Sequence, residues 1–419
     1  MSARARPIAA VLAAAAAVVL AAAGPAAASD CPDEVAAHNA IVLEVSTGDI
    51  ACERAAGERR PVGSTVKLMT ALLALERAEL SDTFTASDYR PGAVESQIGL
   101  QPGERMSVRD LLRGLLIESG NDAAMALAEG VAGSERAFVR LMNRRARRLG
   151  LEDTQYRNPI GLDEAGAHSS ARDLVRLAVV LRTNPFFRRT VNQAEVTLTT
   201  GVRERTFDNR NTLVNAVAWV NGVKTGHTRG AGDVLVGSGR QRGIQVVSAV
   251  LGTPSKAARN DDTLDLLTFG IGAFQRITAA PVGKRVGVRV PIRYRRGAEL
   301  ELVVGRNGER TVVPRGERDR VTIEPLEWPA EVEGPIHFGT QLGTAAVLQD
   351  GRRIATVPLM ASTEVPAAGL SQRTKAWFSR PVGVVLAFAV LSGTVLLARR
   401  RRRIGGPRRR QAREEARIA

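Results

Sequence analysis

The segment GSTVKLMTALLALERAE, residues 63–79, carries the pattern from which the rest of the sequence can be interpreted. Its apolar residues recur with a helical period, and Ser64 lies at the N-terminal end of the predicted helix. Lys67 follows three residues later, so the two side chains share one helix face. A neutral amine beside a hydroxyl can accept its proton and so create an activated nucleophile. The segment therefore predicts a serine nucleophile with a lysine base, the alternative being a helix N-cap beside a solvated lysine.

Lysine is unusually rare in this sequence. Of 59 basic residues only five are lysines, namely Lys67, Lys224, Lys256, Lys284 and Lys375. Arginine stays protonated in proteins, whereas burial can shift a lysine to a neutral base. A lysine kept in such an arginine-rich chain therefore indicates a position where arginine cannot take its place.

Two further tripeptides carry related chemistry. SGN (119–121) lies at a predicted helix break, where polar side chains can face a cleft, although such a break can also be helix punctuation. KTG (224–226) follows a strand-like run, which places a cation and a hydroxyl on an inner strand, and Gly226 would leave room for a ligand backbone. Each tripeptide alone is a weak signal. In the order SxxK, SxN, KTG, on a helix, a helix break and a strand, the set is highly specific.

The surrounding pattern predicts an α+β fold. IVLEV and IACER, within residues 41–54, flank a turn and form a predicted hairpin. Several helical patterns follow, and the runs TLVNAVAWV, VLVGSG and IQVVSAVLG then predict strands, with a helix after them. From about residue 281, short strands with Gly and Asp turns predict a small β-sandwich or barrel. We therefore expect a catalytic domain at residues 29–275 and a smaller, β-rich C-terminal domain at residues 281–365.

Both ends of the chain carry targeting patterns. Residues 1–28 combine basic, apolar and small-residue segments in the order of a secretory signal peptide. Residues 381–398 form an uncharged run of 18 residues followed by five arginines, which is typical of a membrane span with its cytoplasmic flank. We expect a stalk at 366–380, a transmembrane helix at 381–398 and a cytoplasmic tail at 399–419, with the catalytic domain outside the cytoplasm. The alternative for 381–398 is a buried core helix.

The formal charge of +16 raises the question of nucleic-acid binding. Residues 399–419 contribute +8 of this charge and the N-terminal arginines +2, which leaves about +6 for the rest of the chain. Only 4% of the residues are aromatic, and no nucleic-acid-binding motif is present. We therefore expect no nucleic-acid partner.

The cysteines and histidines are few. Two cysteines cannot form a four-cysteine zinc site, and the four histidines, at 38, 168, 227 and 337, are widely scattered, so no metal or other cofactor is expected. In an oxidising compartment, Cys31 and Cys52 are predicted to form one disulfide, the alternative being a free buried pair. Asp30 makes the segment before Cys31 unlike a lipoprotein signal.

These motifs together resemble the low-molecular-mass penicillin-binding proteins, the serine-type D-alanyl-D-alanine carboxypeptidases. The similarity extends through GSTVKLMT, ESGNDAA, RNPIGLD followed by AHSSARDL, VNGVKTGHT and RNDDTLDLLTFG. GPIHFGTQLGTAAVLQDGRRIATVPLM resembles their β-rich C-terminal domain, so the similarity covers roughly residues 37–361. The resemblance implies the penicillin-binding and β-lactamase-like transpeptidase fold, an antiparallel sheet flanked by helices. The active site would lie between the sheet and a helical subdomain.

The resemblance also implies roles for the residues of the first two motifs. Ser64 would be the acylated nucleophile and Lys67 its base. Ser119 and Asn121 would relay a proton and position the substrate amide.

The remaining roles concern the substrate's terminal carboxylate and the developing oxyanion. Lys224 and Thr225 would face the carboxylate, and the N–H groups of Ser64 and His227 would form an oxyanion hole. Arg259 is expected at the rim of the site, where a guanidinium can bind a free carboxylate through two parallel hydrogen bonds, the alternative being an exposed arginine without a role.

The implied function is removal of the terminal D-alanine from peptidoglycan pentapeptide stems through a serine acyl-enzyme, with β-lactams as covalent inhibitors. A class A β-lactamase would need a deacylating glutamate in an ExxLN loop, which residues 158–170 do not offer. A non-catalytic peptidoglycan-binding or scaffold protein on the same fold and a DD-endopeptidase stay open as alternatives.

Overall fold

The computed structural model describes residues 30–378 and 381–404, with side chains described for residues 30–375 and 385–401. The predicted signal peptide and residues 405–419 of the predicted tail lie outside the described residues. The chain forms two compact units. One comprises the residues up to Arg276 together with Val312–Gly316, and the other comprises Ile277–Thr311 and the residues from Glu317 onward.

The first unit contains both strands and helices. Its strands are β1 (Asn39–Glu44), β2 (Ile50–Arg54), β3 (Thr83–Thr85), β4 (Arg105–Ser107), β5 (Glu195–Leu198), β6 (Arg205–Asp208), β7 (Val220–Thr228), β8 (Gly232–Gln241) and β9 (Ile244–Thr253). Its helices are α1 (Lys67–Arg77), α2 (Val108–Ile117), α3 (Asn121–Ala132), α4 (Glu135–Arg148), α5 (Ala171–Arg182), α6 (Pro185–Val191), α7 (Leu213–Ala216) and α8 (Lys256–Ala273). A 3₁₀ turn, Gly63–Val66, leads directly into α1.

A five-stranded antiparallel sheet in the order β2-β1-β9-β8-β7 forms the centre of this unit. Successive side chains on a strand point to opposite sides of the sheet, and β1, β8 and β9 are buried along most of their length, so both faces of the sheet are covered at its centre. On β1, Ile41 packs into the cluster formed with α1 to α5, whereas Ala40 and Val42 pack into the cluster that contains Leu266 and Leu267 of α8. The predicted antiparallel sheet flanked by helices is thus confirmed, and β7 lies at its edge.

The second unit is mainly β-structure, as the sequence predicted. Its elements are β10 (Phe274–Thr278), which begins in the first unit, β11 (Arg285–Pro291), β12 (Glu299–Val304), β13 (Arg310–Pro314), whose last three residues belong to the first unit, β14 (Val321–Glu327), β15 (Gln341–Gln349) and β16 (Arg352–Ala361). Five of these strands form an antiparallel sheet in the order β11-β12-β16-β15-β14. Two helices follow, α9 (Leu370–Phe378) and α10 (Pro381–Ile404).

Two local predictions need correction. TLVNAVAWV was predicted as a strand, but its first part forms the short helix α7, and β7 begins only at Val220. The amide of Val217 donates to the carbonyl of Leu213 at 2.9 Å, as in a helical turn. The prediction failed because the apolar residues at 213, 214 and 217 fit one helical turn as well as they fit a strand. The predicted stalk at 366–380 contains α9.

The expected transmembrane helix at 381–398 falls within α10. A span requires about 20 predominantly apolar residues in one helix. Among residues 30–378 and 381–404, no helix combines the length and the apolar character needed to cross a membrane. The expectation of a transmembrane helix is therefore not confirmed, and the membrane topology inferred from it stays a prediction.

Candidate active site

Ser64 and Lys67 meet at the junction between the 3₁₀ turn and α1. Lys67 Nζ lies 2.8 Å from Ser64 Oγ and donates a hydrogen bond to the carbonyl of Ile160 at 2.7 Å. The lysine side chain is fully buried, with 0% exposure, whereas Ser64 is half-buried and open to a ligand. The hydroxyl and the amine are thus within the distance that proton transfer requires.

The surroundings of Lys67 favour a neutral amine. Burial is the main cause that lowers its pKa well below the usual lysine range, and the positive charge of Lys224 adds to this effect. The carboxylates of Glu95 and Asp122 act in the opposite direction but do not outweigh burial. An amine whose pKa is lowered in this way is less often protonated than an ordinary lysine and can therefore accept the Ser64 proton.

The SGN motif occupies the break between α2 and α3. Ser119 has a φ of +68°, which is rare for a residue with a side chain, and it is 3% exposed. Its buried hydroxyl has no hydrogen-bond partner among the described residues. Such backbone strain combined with an unsatisfied polar group is typical of functional positions. Asn121 begins α3, and its Nδ2 donates to Oε2 of Glu95 at 2.6 Å.

The KTG motif lies on β7, an edge strand of the sheet, so the expectation of an inner strand was wrong. Lys224 is 1% exposed, and its Nζ donates to the carbonyl of Thr225 at 3.0 Å. Burial lowers the pKa of Lys224 to about 7, and the positive charges of Arg210 and Arg259 contribute to the shift, with Glu118 opposing it. An anionic ligand would therefore meet a cation that is fully present only below this pH.

Gly226 lies where β7 packs against the turn that carries Ser64, and room for a ligand backbone at this glycine stays a prediction. A Cβ at this position would lie 2.6 Å from the carbonyl oxygen of Val62 and 3.2 Å from the amide nitrogen of Ser64. A Cβ on Gly63 would lie 2.9 Å from the amide nitrogen of His227. The two glycines thus let β7 pack directly against the turn that carries Ser64, and this close approach brings the Ser64 and His227 backbones together.

His227 and Arg259 are linked through Asp233 on β8. The His227 side chain is largely exposed, and its Nδ1 lies 3.4 Å from Asp233 Oδ2. Arg259, in the first turn of α8, is only 4% exposed, with Nη1 3.6 Å from Asp233 Oδ1 and Nη2 donating to Asn260 at 2.9 Å. Arg259 is therefore a buried cation beside the end of β7, neither exposed nor without contacts.

Two residues whose charges act on the site, Arg210 and Glu95, were not among the site residues predicted from the sequence. Arg210 forms an ion pair with Glu118, and its positive charge lowers the pKa of both Lys67 and Lys224. No local signal distinguishes it among so many arginines, because its partners come from distant segments. Among the described residues, no group of three His, Cys, Asp or Glu side chains is arranged to hold a metal ion.

The fold and the site together define a serine hydrolase. A family model described as "D-alanyl-D-alanine carboxypeptidase" matches residues 26–255, and one described as "Penicillin-binding protein 5, C-terminal domain" matches residues 274–367. The chain belongs to the D-alanyl-D-alanine carboxypeptidase family, peptidase family S11, whose members are serine hydrolases. The family expected from the sequence is thereby confirmed.

Relatives and solved structures agree with this assignment. The chain is 30% identical to D-alanyl-D-alanine carboxypeptidase DacF of Bacillus subtilis, over 80% of this chain and 87% of the relative. It is 31% identical to DacD of Escherichia coli, over 83% and 91% respectively. Penicillin-binding protein 5 of Haemophilus influenzae has a TM-score of 0.58 and 26% identity, covering 81% of this chain and 100% of that one. The Streptomyces K15 DD-transpeptidase has a TM-score of 0.55 and 31% identity, covering 58% and 100%.

Proposed function

We propose that this protein removes the terminal D-alanine from peptidoglycan pentapeptide stems through an acyl-enzyme on Ser64, and that penicillins acylate the same residue. The observation that carries the proposal is the buried amine of Lys67, 2.8 Å from Ser64 Oγ, with a pKa lowered by burial and by Lys224. A neutral base in contact with an accessible hydroxyl is what acyl transfer from a D-Ala-D-Ala peptide requires.

Acylation begins when Lys67 takes the proton of Ser64 and Ser64 Oγ attacks the carbonyl carbon of the penultimate D-alanine. The carbonyl oxygen becomes an oxyanion, which the N–H groups of Ser64 and His227 would bind where β7 packs on the 3₁₀ turn. The C–N bond then breaks, and the leaving amine receives a proton through the buried hydroxyl of Ser119. Free D-alanine leaves, and the remaining peptide is held as an ester on Ser64.

Deacylation repeats the sequence with water as the nucleophile. Lys67, neutral again once its proton has passed to the leaving group, accepts a proton from water as the water attacks the ester carbon. The same two N–H groups bind the second oxyanion, and collapse releases the shortened peptide and restores the Ser64 hydroxyl. Every proton that Lys67 takes up is released again, so the cycle returns Ser64 and Lys67 to their starting states.

Recognition of the terminal carboxylate is expected to depend on pH through Lys224. Its pKa of about 7 means that the ammonium form is lost as the pH rises through that value. KM for a pentapeptide with a free carboxylate should therefore rise above about pH 7, approaching about 10-fold per pH unit if only the ammonium form binds. A pentapeptide with a C-terminal amide is the control. Equal pH dependence of KM for both peptides would contradict this role of Lys224.

Arg259, beside Asp233, offers a way to distinguish carboxypeptidase activity from endopeptidase activity. Arg259→Ala should reduce release of D-alanine from a defined pentapeptide by about 10-fold or more, because a charge-assisted contact with the terminal carboxylate of the pentapeptide is lost. Penicillin acylation should fall less, because Lys224 and Thr225 remain for the carboxylate of the drug.

Two comparisons make this result decisive. Arg259→Lys keeps the charge next to Asp233, so that a loss seen in both variants reflects the guanidinium and not an unpaired buried carboxylate. Product analysis of the wild type should show D-alanine released faster from the pentapeptide than a crosslinked dimer is cleaved. Full pentapeptide activity in Arg259→Ala together with rapid dimer cleavage would favour the endopeptidase alternative.

We also propose that the catalytic unit works outside the cytoplasm and that the C-terminal segment attaches it to the membrane. The disulfide between Cys31 and Cys52, whose side chains are 3% and 0% exposed, supports an oxidising compartment. The signal-peptide pattern and the apolar run before five arginines are the sequence features behind the rest. Protease added to intact spheroplasts should remove the catalytic unit and spare a tag at Ala419; a protected catalytic unit or a lost tag would contradict the proposal.

A further inference from the structure

A carboxylate that belongs to none of the three motifs lies against the SGN segment. Glu95, in the loop between β3 and β4, accepts a hydrogen bond from Asn121 Nδ2 at 2.6 Å and another from the hydroxyl of Tyr89, both at its Oε2 atom. The oxygen is thus shared between a residue of the proposed active site and a tyrosine six positions away on the same loop. Glu95 and Tyr89 are each half-buried.

The loop that carries Glu95 is fastened to the start of α3 by its backbone. The amide of Asn121 donates to the carbonyl of Ser96 at 2.8 Å. The carboxylate of Asp122 accepts from the amides of Ile98 and Leu100 at 2.9 and 3.0 Å. Several hydrogen bonds just after Glu95 therefore hold this part of the loop against the start of α3, so the position of Glu95 beside Asn121 does not depend on one flexible side chain.

An ionised carboxylate can only accept hydrogen bonds, whereas the side-chain amide of Asn121 has one accepting and one donating end. Glu95 must therefore face the amide nitrogen of Asn121, which directs the carbonyl oxygen of this amide away from Glu95. The N–H of a substrate peptide bond needs a hydrogen-bond acceptor, and the carbonyl oxygen of the Asn121 amide can supply one when it faces away from Glu95.

Glu95 is ionised under ordinary conditions. Burial opposes its ionisation, but hydrogen bonds from Tyr89 and Asn121, with a smaller contribution from the Gly92 backbone, bring the pKa of Glu95 below its usual value. The negative charge of Glu95 in turn raises the pKa of Lys67, together with Asp122, against the lowering effects of burial, Lys224 and Arg210.

We infer that Glu95, held by Tyr89, is a positioning residue that orients the Asn121 amide for the substrate and sets the charge balance around the Ser64 and Lys67 pair. The inference rests on the proposed function, since it concerns the same acyl-transfer site. It assigns two separable effects to one side chain, an orienting hydrogen bond and a negative charge.

Three variants separate these effects. Glu95→Ala removes both, Glu95→Gln removes the charge while keeping an acceptor for Asn121 and Tyr89, and Tyr89→Phe keeps the charge but releases the carboxylate. Glu204→Gln, an exposed glutamate on the turn between β5 and β6, is the matched control. Each variant is measured for acylation by fluorescent penicillin, and for kcat and KM on a pentapeptide across pH, with thermal unfolding to verify the fold.

Glu95→Ala is expected to lower kcat by about 10- to 100-fold, because a small misplacement of a substrate-positioning group has an effect of this size. Glu95→Gln should move the acidic limb of the kcat profile to lower pH: without the carboxylate the pKa of Lys67 falls further, so Lys67 stays neutral in more acidic solution. Tyr89→Phe should lower kcat without moving this limb, and Glu204→Gln should behave as the wild type.

The results distinguish the inference from the proposed function. If the wild type is not acylated by penicillin, the proposed function itself fails. If the wild type is acylated while Glu95→Ala keeps its kcat within about twofold, a change too small for a positioning role, the inference is overturned. An unmoved acidic limb in a folded Glu95→Gln variant would also overturn it, because a merely structural glutamate has no effect on that profile.

Discussion

Replacing Ser64 by alanine is expected to abolish the covalent adduct with penicillin and to reduce pentapeptide hydrolysis by roughly 10⁴- to 10⁶-fold, the scale at which a serine nucleophile acts together with its base. The physical reason is that Ser64 Oγ is the atom that bonds to the acyl group. Among the described residues, it is also the one hydroxyl that is hydrogen-bonded to Lys67 Nζ, at 2.8 Å. Intact-mass spectrometry of the wild type should show one adduct, and that of Ser64→Ala none.

The control for this experiment is Ser81→Ala, at an exposed serine beyond α1. It should acylate as fast as the wild type and carry the adduct on the peptide that contains Ser64. An adduct that persisted in Ser64→Ala, at any stoichiometry near one, would identify a different nucleophile and contradict the assignment.

Replacing Lys67 by arginine should slow penicillin acylation by about 10²- to 10⁴-fold, the usual value of general-base assistance. Arginine cannot lose its proton, so the variant replaces a neutral base by a permanently charged group that cannot accept the Ser64 proton. The measurement is the second-order rate of acylation by fluorescent penicillin, followed across pH.

Because Lys67 is fully buried, a guanidinium at this position can disturb the packing, and a second variant is needed. Lys67→Met has a similar volume, carries no charge, and relieves the desolvation of a buried amine, so it should fold at least as stably and still fail to acylate. Lys256→Arg, at an exposed lysine at the start of α8, is the matched control and should acylate normally. Near-normal acylation by either Lys67 variant would refute the base role.

Much of the fold could be predicted from local patterns. The hairpin of β1 and β2 and the β-rich second unit followed from alternation and turn residues, because these signals depend on neighbours in sequence. The antiparallel sheet flanked by helices was expected from the family resemblance and not from these patterns. The α7 segment was assigned wrongly for the same reason, since a run of nine residues with apolar residues at several spacings fits either structure. Its conformation depends on contacts with residues outside the run, which the nine residues alone do not reveal.

The site divides in a similar way. Sequence spacing alone placed Ser64 beside Lys67, because residues three apart share a helix face. It did not reveal why Gly226 is a glycine, since the atoms that a side chain would meet, the Val62 carbonyl and the Ser64 amide, belong to a different segment. Nor did it identify Glu95, whose contact with Asn121 joins a loop to the start of a helix.

The sequence by itself determined the chemical groups: a serine, a lysine three residues later, a second serine at a helix break, and a lysine before threonine and glycine in an otherwise arginine-rich chain. Only the tertiary structure decided which of these groups are buried and which have a shifted pKa. Lys67 has a lowered pKa because the fold removes it from water and brings Lys224 near it, opposed by Glu95 and Asp122. Desolvation and the Coulomb interaction depend on distances in space, and no pattern along the chain contains those distances.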